Sequence, residues 1–278
     1  MKPSAQRLLL LGANGQLGHQ LATALKQLGE VKALIRAEAD LANPVALRQT
    51  LSYIAQAFQP TVIVNAAAYT AVDKAQTETE LAHAVNAASP AVLAEVAKAH
   101  NAMLVHYSTD YVFDGSGTQP WQETDATHPL SVYGQSKRDG ELAIAALCPK
   151  HLILRTSWVV GTHGGNFLKT MLRLAAERDA LRVVADQIGA PTSAALLTEV
   201  TVQLIRVMQE ANGADPRWGV YHVAAAGETS WHGYAQHVIH QAQRLSPSLP
   251  WMVNEVSAVA TCDFPTPATR PLNSRLCT

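Results

Sequence analysis

Charge is scarce in this sequence. Asp, Glu, Lys and Arg make up 15% of it, against roughly a quarter of an average soluble domain. The two signs nearly cancel, leaving a formal charge of −1. Such a chain has no broad basic field for holding a nucleic acid or an anionic membrane surface, so neither is expected as a partner. Cysteine is nearly absent too. Cys148, Cys262 and Cys277 are odd in number, far apart and without a C-x-x-C pair, so neither a disulfide framework nor a zinc site is suggested. They read as packing residues or inert surface thiols. Long apolar runs are also missing. Only four consecutive leucines, Leu8 to Leu11, precede the first glycine, too few for a signal-peptide core or a membrane span, and the expected location is the cytoplasm. No internal repeat or low-complexity tract occurs. What remains is an alanine-rich chain of 278 residues, 48% hydrophobic, long enough to bury a real core without a structural metal.

Short apolar runs alternate with longer segments of helical period through the first 160 residues or so. Strands are expected at 7–12, 31–35, 61–65, 103–108 and 152–156, with helices at 16–28, 44–58, 81–99 and 133–147 between them. This is the pattern of a doubly wound parallel sheet covered on both faces. Beyond Trp158 the alternation breaks down. A glycine-rich stretch at 161–165, a helix at 167–178 and the run from Asp186 to Thr192 suggest excursions that build a second lobe. A helix at 193–209 is apolar enough to return to the main sheet. Pro265, Pro267 and Pro271 make the tail from Trp251 an extended, turn-rich wrap.

Three clusters carry chemistry. Gly12, Gly15 and Gly18 follow the first strand and open the first helix. Gly12 permits the tight turn, Gly15 lets backbone approach a pyrophosphate, and Gly18 lets helix and strand pack closely, with the helix N-terminus attracting phosphate. Val64 to Thr70 ends the third strand in small residues, leaving room at the carboxyl edge of the sheet. The sharpest signal is Tyr133-Gly-Gln-Ser-Lys137. An i, i+4 pair shares one helix face, and a nearby ammonium favours phenolate, lowering the tyrosine pKa toward the range of a working general acid. It follows a strand ending His106-Tyr-Ser108-Thr109-Asp110, whose hydroxyls suit a carbonyl oxygen. His232, His237 and His240 crowd one segment but lack acidic or cysteine partners, and no metal site is expected there.

The phrases Asn65-Ala-Ala-Ala-Tyr-Thr-Ala-Val-Asp73-Lys, Val85-Asn86-Ala, Ser108-Thr-Asp-Tyr-Val-Phe-Asp-Gly115 and Tyr133-Gly-Gln-Ser-Lys137 resemble those of dTDP-4-dehydrorhamnose reductases, in the extended short-chain dehydrogenase/reductase superfamily. The likeness continues through Arg155-Thr-Ser-Trp158, Asp186-Gln-Ile-Gly-Ala-Pro-Thr192 and Arg270-Pro-Leu-Asn-Ser274, and so covers nearly the whole chain. It implies an α/β fold, a Rossmann-type doubly wound parallel sheet with a smaller C-terminal substrate lobe. Residues 1–158 and 193–221 would form the dinucleotide-binding domain, and 159–192 and 222–278 the substrate lobe.

The implied reaction is reduction of the C4 ketone of dTDP-4-dehydro-6-deoxy-L-mannose to dTDP-L-rhamnose, with NADPH or NADH. By the same resemblance Tyr133 is the acid that protonates the developing alkoxide. Lys137 lowers its pKa and holds the nicotinamide ribose, and Thr109 hydrogen-bonds the substrate oxygen. Asp110 and Trp158 match substrate-contacting positions. Gly15, Gln16, Leu17, Asp40, Leu41, Ala66 and Ala67 match cofactor-binding stretches. Arg36, at the end of the second strand, either pairs with a 2′-phosphate, favouring NADPH, or is a solvated arginine.

Some members of the resembled family dimerise around magnesium held partly by a glutamate early in the first helix. Gln20 stands there, so no metal is expected, and the chain should be a monomer or a weak homodimer. Relatives also continue through a further helix beyond the position of Thr278, with an aspartate common where Cys277 stands, which predicts altered packing of the second lobe. Two other functions share parts of the pattern. A nucleotide-sugar epimerase has the same glycine loop and Tyr/Lys pair, and a non-catalytic regulatory subunit keeps the cofactor groove. Similar dehydratases place Asp-Glu after the threonine, whereas Thr109 here precedes Asp110 and Tyr111, which disfavours elimination.

Overall fold

A computed structural model describes residues 6–278; residues 1–5 of the expected dinucleotide-binding domain lie outside it. The chain runs β1 (Gln6–Leu11), α1 (Gln16–Ala24), β2 (Gly29–Leu34), α2 (Pro44–Phe58), β3 (Val62–Asn65), α3 (Thr79–His83), α4 (Ser89–Ala99), β4 (Met103–Thr109), α5 (Val132–Leu147) and β5 (His151–Thr156). It continues through β6 (Val159–Val160), α6 (Phe167–Glu177), β7 (Ala180–Val184), β8 (Ile188–Gly189), β9 (Thr192–Ser193), α7 (Ala194–Met208), β10 (Gly219–His222), β11 (Thr229–Ser230), α8 (Trp231–Leu245) and β12 (Glu255–Val259). None of the described helices is long and apolar enough to cross a membrane.

Six strands form a sheet in the order β10-β5-β4-β3-β1-β2, every pair parallel. Parallel strands covered on both faces need no alternation of polar and apolar residues. The run Leu8 to Leu11 shows this: Leu8 and Leu10 join one hydrophobic cluster with Leu21 of α1 and Leu197 of α7. Leu9 and Leu11 join another, with Leu51 of α2, Leu93 of α4 and Ile144 of α5. The strand order changes direction between β1 and β3, and such a switch point opens a crevice at the carboxyl edge.

The structure refines several expected boundaries. The helix begun at Gln16 ends at Ala24 and tightens into a 3₁₀ turn, Leu25–Gln27, so β2 starts earlier than expected, at Gly29. The helix expected at 81–99 is α3 and α4 joined by a π turn, Ala84–Ala88. Pro90 lies just beyond that turn and has no N–H to give the Asn86 carbonyl four residues back. Gly140 of α5 packs against that carbonyl, where a Cβ would collide with it. Strand β10 and helix α8 are absent from the expected elements.

A third cluster, including Met171 of α6, Leu181 and Val183 of β7, Ile239 of α8 and Val253, forms a small core of its own. Around it lie three two-stranded sheets, β11-β8, β12-β7 and β6-β9. The tail returns from there to the loops after β3 and β4. Arg270 pairs with Asp73 at 2.7 Å, the Asn273 amide donates to the Gly115 carbonyl at 3.1 Å, and Leu276 bridges Trp121. Gly115 has φ +72°, and a Cβ there would lie 2.5 Å from Pro271. The glycine after β4 therefore lets the tail dock.

Candidate active site

A cleft of about 890 Å³ opens at the carboxyl ends of β1, β3 and β4, with one wall from the small lobe. Gly12, Gly15, Gln16, Leu17, Arg36, Asp40, Leu41, Ala66 and Ala67 all line it. Gly12 has φ +78°, and a Cβ on it would fall 2.7 Å from the Ala67 nitrogen, so only glycine fits the crossing of the two loops. Gly18 does not line the cleft: it packs behind the loop, where a Cβ would overlap the Gly12 carbonyl oxygen. Helices α2, α5, α6, α7 and α8 are capped by Asn43, Ser131, Asn166, Ser193 and Ser230, but α1, like α3 and α4, has no side-chain cap: its N-cap position is Gly15, and its first turn holds no acidic residue. Uncapped amides and a glycine cradle suit a dinucleotide pyrophosphate.

Two neighbours hold this cradle to the small lobe. The Gln16 amide donates to the Val159 carbonyl at 3.0 Å and accepts from Asn166 at 2.7 Å. At the outer mouth, the exposed Arg36 guanidinium pairs with Asp40 at 3.2 Å.

Thr109, Asp110, Tyr133, Lys137 and Trp158 line the inner part of the same cleft. Ser131 caps α5 by accepting from the Gly134 amide at 3.2 Å, which brings Tyr133 into the first turn beside the end of β4. Lys137 is 2% exposed. Its Nζ donates to the Tyr107 carbonyl at 2.6 Å and lies 3.2 Å from His106 Nε2. Burial lowers the Lys137 pKa to about 8, partly opposed by Glu141. The tyrosine moves opposite to the sequence expectation. Burial pushes the Tyr133 phenol up to about 12, a Thr109 hydrogen bond resists this, and the Asp110 charge adds to it. Desolvation of a phenolate outweighs its neighbours here, leaving Tyr133 a protonated donor at neutral pH.

Asp110 is fully desolvated, and burial raises its carboxyl to about 6, against hydrogen bonds from Ser274 and Thr109. Its Oδ2 has no partner, and neither do the hydroxyls of Ser108 and Thr156 nearby. Unsatisfied polar atoms at a cleft wall are places for a polar ligand. They also have a thermodynamic signature. The unfolded carboxyl loses its proton near its ordinary value, while the folded one keeps it to about 6. The unfolded state therefore gains as pH rises between those values. Wild-type stability, measured by urea unfolding against Asp110→Asn, is expected to fall by about 2 kcal/mol from pH 4 to pH 7. Parallel stability profiles for the two proteins would show that Asp110 is solvated.

The far wall is aromatic. Trp158, with an uncommon left-handed φ of +47°, stacks on Trp231 with ring centres 3.6 Å apart and planes within 16°. Phe167 tilts against Trp231 at 4.5 Å and lies 5.5 Å from Tyr234. Gly189 leaves room for the Trp158 ring, since a Cβ there would lie 2.8 Å from it. A bulky residue at positive φ is costly and persists where its surroundings hold it.

The RmlD substrate binding domain model matches residues 6–278. A dTDP-4-dehydrorhamnose reductase of Salmonella typhimurium is 49% identical over 273 residues, 97% of this chain and 88% of that protein. The chain belongs to the dTDP-4-dehydrorhamnose reductase family. An Escherichia coli protein of the same name is 47% identical over 269 residues, covering 97% of this chain and 88% of its own. Among solved structures, a dTDP-4-dehydrorhamnose reductase from Bacillus anthracis in complex with NADP superimposes with a TM-score of 0.87 at 36% identity, over 98% of this chain and 90% of that one.

For a dTDP-4-dehydrorhamnose reductase family member, the cleft holds more than the motifs foretold. Trp231, Tyr234, Phe167 and Asn166 face it from the small lobe. They come from separate segments that only the fold joins, and nothing in their spacing marks them. The Ser230 cap ahead of Trp231 was the available signal for α8. His232, from the histidine-rich segment, contacts the Val256 carbonyl at 2.9 Å. Among the described residues no group of three His, Cys, Asp or Glu side chains is placed to hold a metal ion.

Proposed function

We propose that this protein uses NADPH to reduce the C4 ketone of dTDP-4-dehydro-6-deoxy-L-mannose, giving dTDP-L-rhamnose. The observation that carries this reading is the meeting of Thr109, Tyr133 and Lys137 at the inner end of a glycine-loop cleft, in a chain 49% identical to a reductase of that name. NADPH would occupy the groove of Gly12, Gly15, Gln16 and Leu17 and supply hydride to the C4 carbon. Thr109 holds the ketone oxygen, and the Tyr133 phenol gives it a proton as its charge develops. Lys137 would hold the nicotinamide ribose. Asp110 and Trp158 hold the sugar, with the small lobe, 159–192 and 222–278, closing over it. Arg36 and Asp40 at the mouth suit the adenosine ribose, and the Arg36 guanidinium supports preference for a 2′-phosphate. The NADP in the B. anthracis relative supports the same choice.

One assay separates this reading from the epimerase and the regulatory subunit. The purified protein, given NADPH, EDTA and the 4-keto-6-deoxy sugar already epimerised at C3 and C5, is expected to oxidise one NADPH per ketone reduced. An epimerase recycling a held cofactor would rearrange the sugar with no net absorbance loss, and a regulatory subunit would do neither. Loss of turnover in EDTA would overturn the metal-independent part of the proposal.

A further inference from the structure

The chemistry above uses Lys137 but leaves the polar groups behind it unexplained. His106 lies within β4 at 1% exposure, and a buried imidazole is costly unless both nitrogens find partners. Its Nδ1 is 3.0 Å from the Asn65 Nδ2, and its Nε2 is 3.2 Å from Lys137 Nζ. The Asn65 amide is oriented from its other end, where its Oδ1 accepts from the Ala67 backbone N–H at 3.2 Å. Asn65 therefore donates to Nδ1, which places the single imidazole proton on Nε2. An Nε2–H can bond Lys137 only if the lysine offers a lone pair. The neutral amine does so while still donating to the Tyr107 carbonyl at 2.6 Å. An ammonium has no lone pair, and to pair with it His106 must carry its proton on Nδ1, with the Asn65 amide turned over and the Ala67 N–H released toward the groove.

The charged and titratable groups around this pair are few. Strand β4 contributes His106 itself, and α5 contributes Tyr133 one turn before the lysine and Glu141 one turn after it. Glu141 is engaged by Arg155 at 2.7 Å. Burial lowers the His106 pKa well below its ordinary value, helped by the Lys137 charge, so the ring stays neutral while the lysine, lowered to about 8, titrates.

We propose that His106 is a positioning residue for Lys137: it anchors the amine under the cofactor groove, and its tautomer follows the lysine's charge, Nε2–H against the amine and Nδ1–H against the ammonium. The imidazole keeps one proton throughout, and the proton gained or lost at Lys137 is exchanged with solvent. This rests on the reading that Lys137 serves the cofactor. Its consequence is that the Ala67 amide is offered to the cofactor only when the lysine is charged.

Nitrogen NMR of the His106 ring in cofactor-free, uniformly labelled protein tests the proposal without cofactor or sugar, so its failure is separable from failure of the reductase reading. The ring is expected to be neutral from pH 6.5 to 10 and to pass from Nδ1–H to Nε2–H with a midpoint near the lysine's value of about 8. In Lys137→Met the Nε2–H form should persist with no step. A single tautomer throughout in the wild type, an imidazolium in that range, or a step surviving in Lys137→Met would each overturn it. As a second arm, His106→Leu is expected to lower kcat about tenfold with the ketone KM unchanged and to move the alkaline limb of the pH profile. His106→Gln, whose amide can turn to give or accept at the Nε2 position, should recover most of the rate. A His106→Leu enzyme with wild-type kcat and pH profile would remove His106 from the mechanism, and if that variant does not fold the wild-type spectrum decides.

Discussion

Tyr133→Phe is expected to lower kcat by about 10²–10⁴-fold, the usual contribution of a positioned acid, while leaving NADPH affinity nearly unchanged. The ring keeps its place in the first turn of α5 and its edge-on contact with Tyr111, with centroids 5.7 Å apart, so the groove is not disturbed. What is lost is the only transferable proton assigned to the developing alkoxide. The phenol's elevation to about 12 by burial sharpens the expectation. A donor of that strength stays protonated throughout the neutral range and still gives its proton readily to an alkoxide. The wild-type rate should therefore show no tyrosine limb near neutrality. Steady-state kinetics with a separate fluorescence titration of NADPH measure both halves. A phenylalanine variant with near-normal kcat would transfer the acid role to another group.

Glu141→Ala is expected to destabilise the fold strongly although Glu141 lies outside the cleft. Arg155 and Glu141 are buried together, their side chains 6% and 5% exposed. The guanidinium makes hydrogen bonds of 2.7, 3.0 and 3.2 Å to the carboxylate, beside a 3.4 Å contact to the Glu123 carbonyl and a place 5.1 Å from the centre of the Phe113 ring. Deleting the carboxylate strands a desolvated cation, which typically costs about 3–5 kcal/mol. The urea midpoint should fall accordingly with an unchanged slope. The double variant Glu141→Leu/Arg155→Met should recover most of the loss, since well-packed apolar replacements of a buried pair are often neutral or stabilising. A loss under about 1 kcal/mol, the range of exposed pairs, would show that water reaches the pair.

Much of the architecture is legible locally. The first five sheet strands fall within two residues of their expected starts, because each is a short apolar run bounded by turn residues. The Gly12 to Gly18 loop is readable because backbone sterics tie its glycines to a strand–turn–helix context. Strand β10 is four residues long and only its last is fully buried, too little pattern to detect. Helix α8 was obscured by its polar face, rich in histidine and glutamine.

Five of the six sheet strands, the glycine cradle and the pairing of Tyr133 with Lys137 on one face of α5 follow from spacing along the chain and from the conformations that glycine, serine and apolar residues favour. What those groups do to one another depends on contacts between distant segments. An i, i+4 spacing can bring an ammonium near a phenol, but β4 offers Lys137 the Tyr107 carbonyl and His106, and burial, not the lysine, sets the phenol's acidity. Trp158 meets Trp231 across 73 residues of sequence, and Gly115 meets Pro271 across 156, because the order of strands and the return of the tail place them together. Periodicity carries the conformation of a segment. It does not carry which segments become neighbours, and electrostatics and desolvation depend on those neighbours.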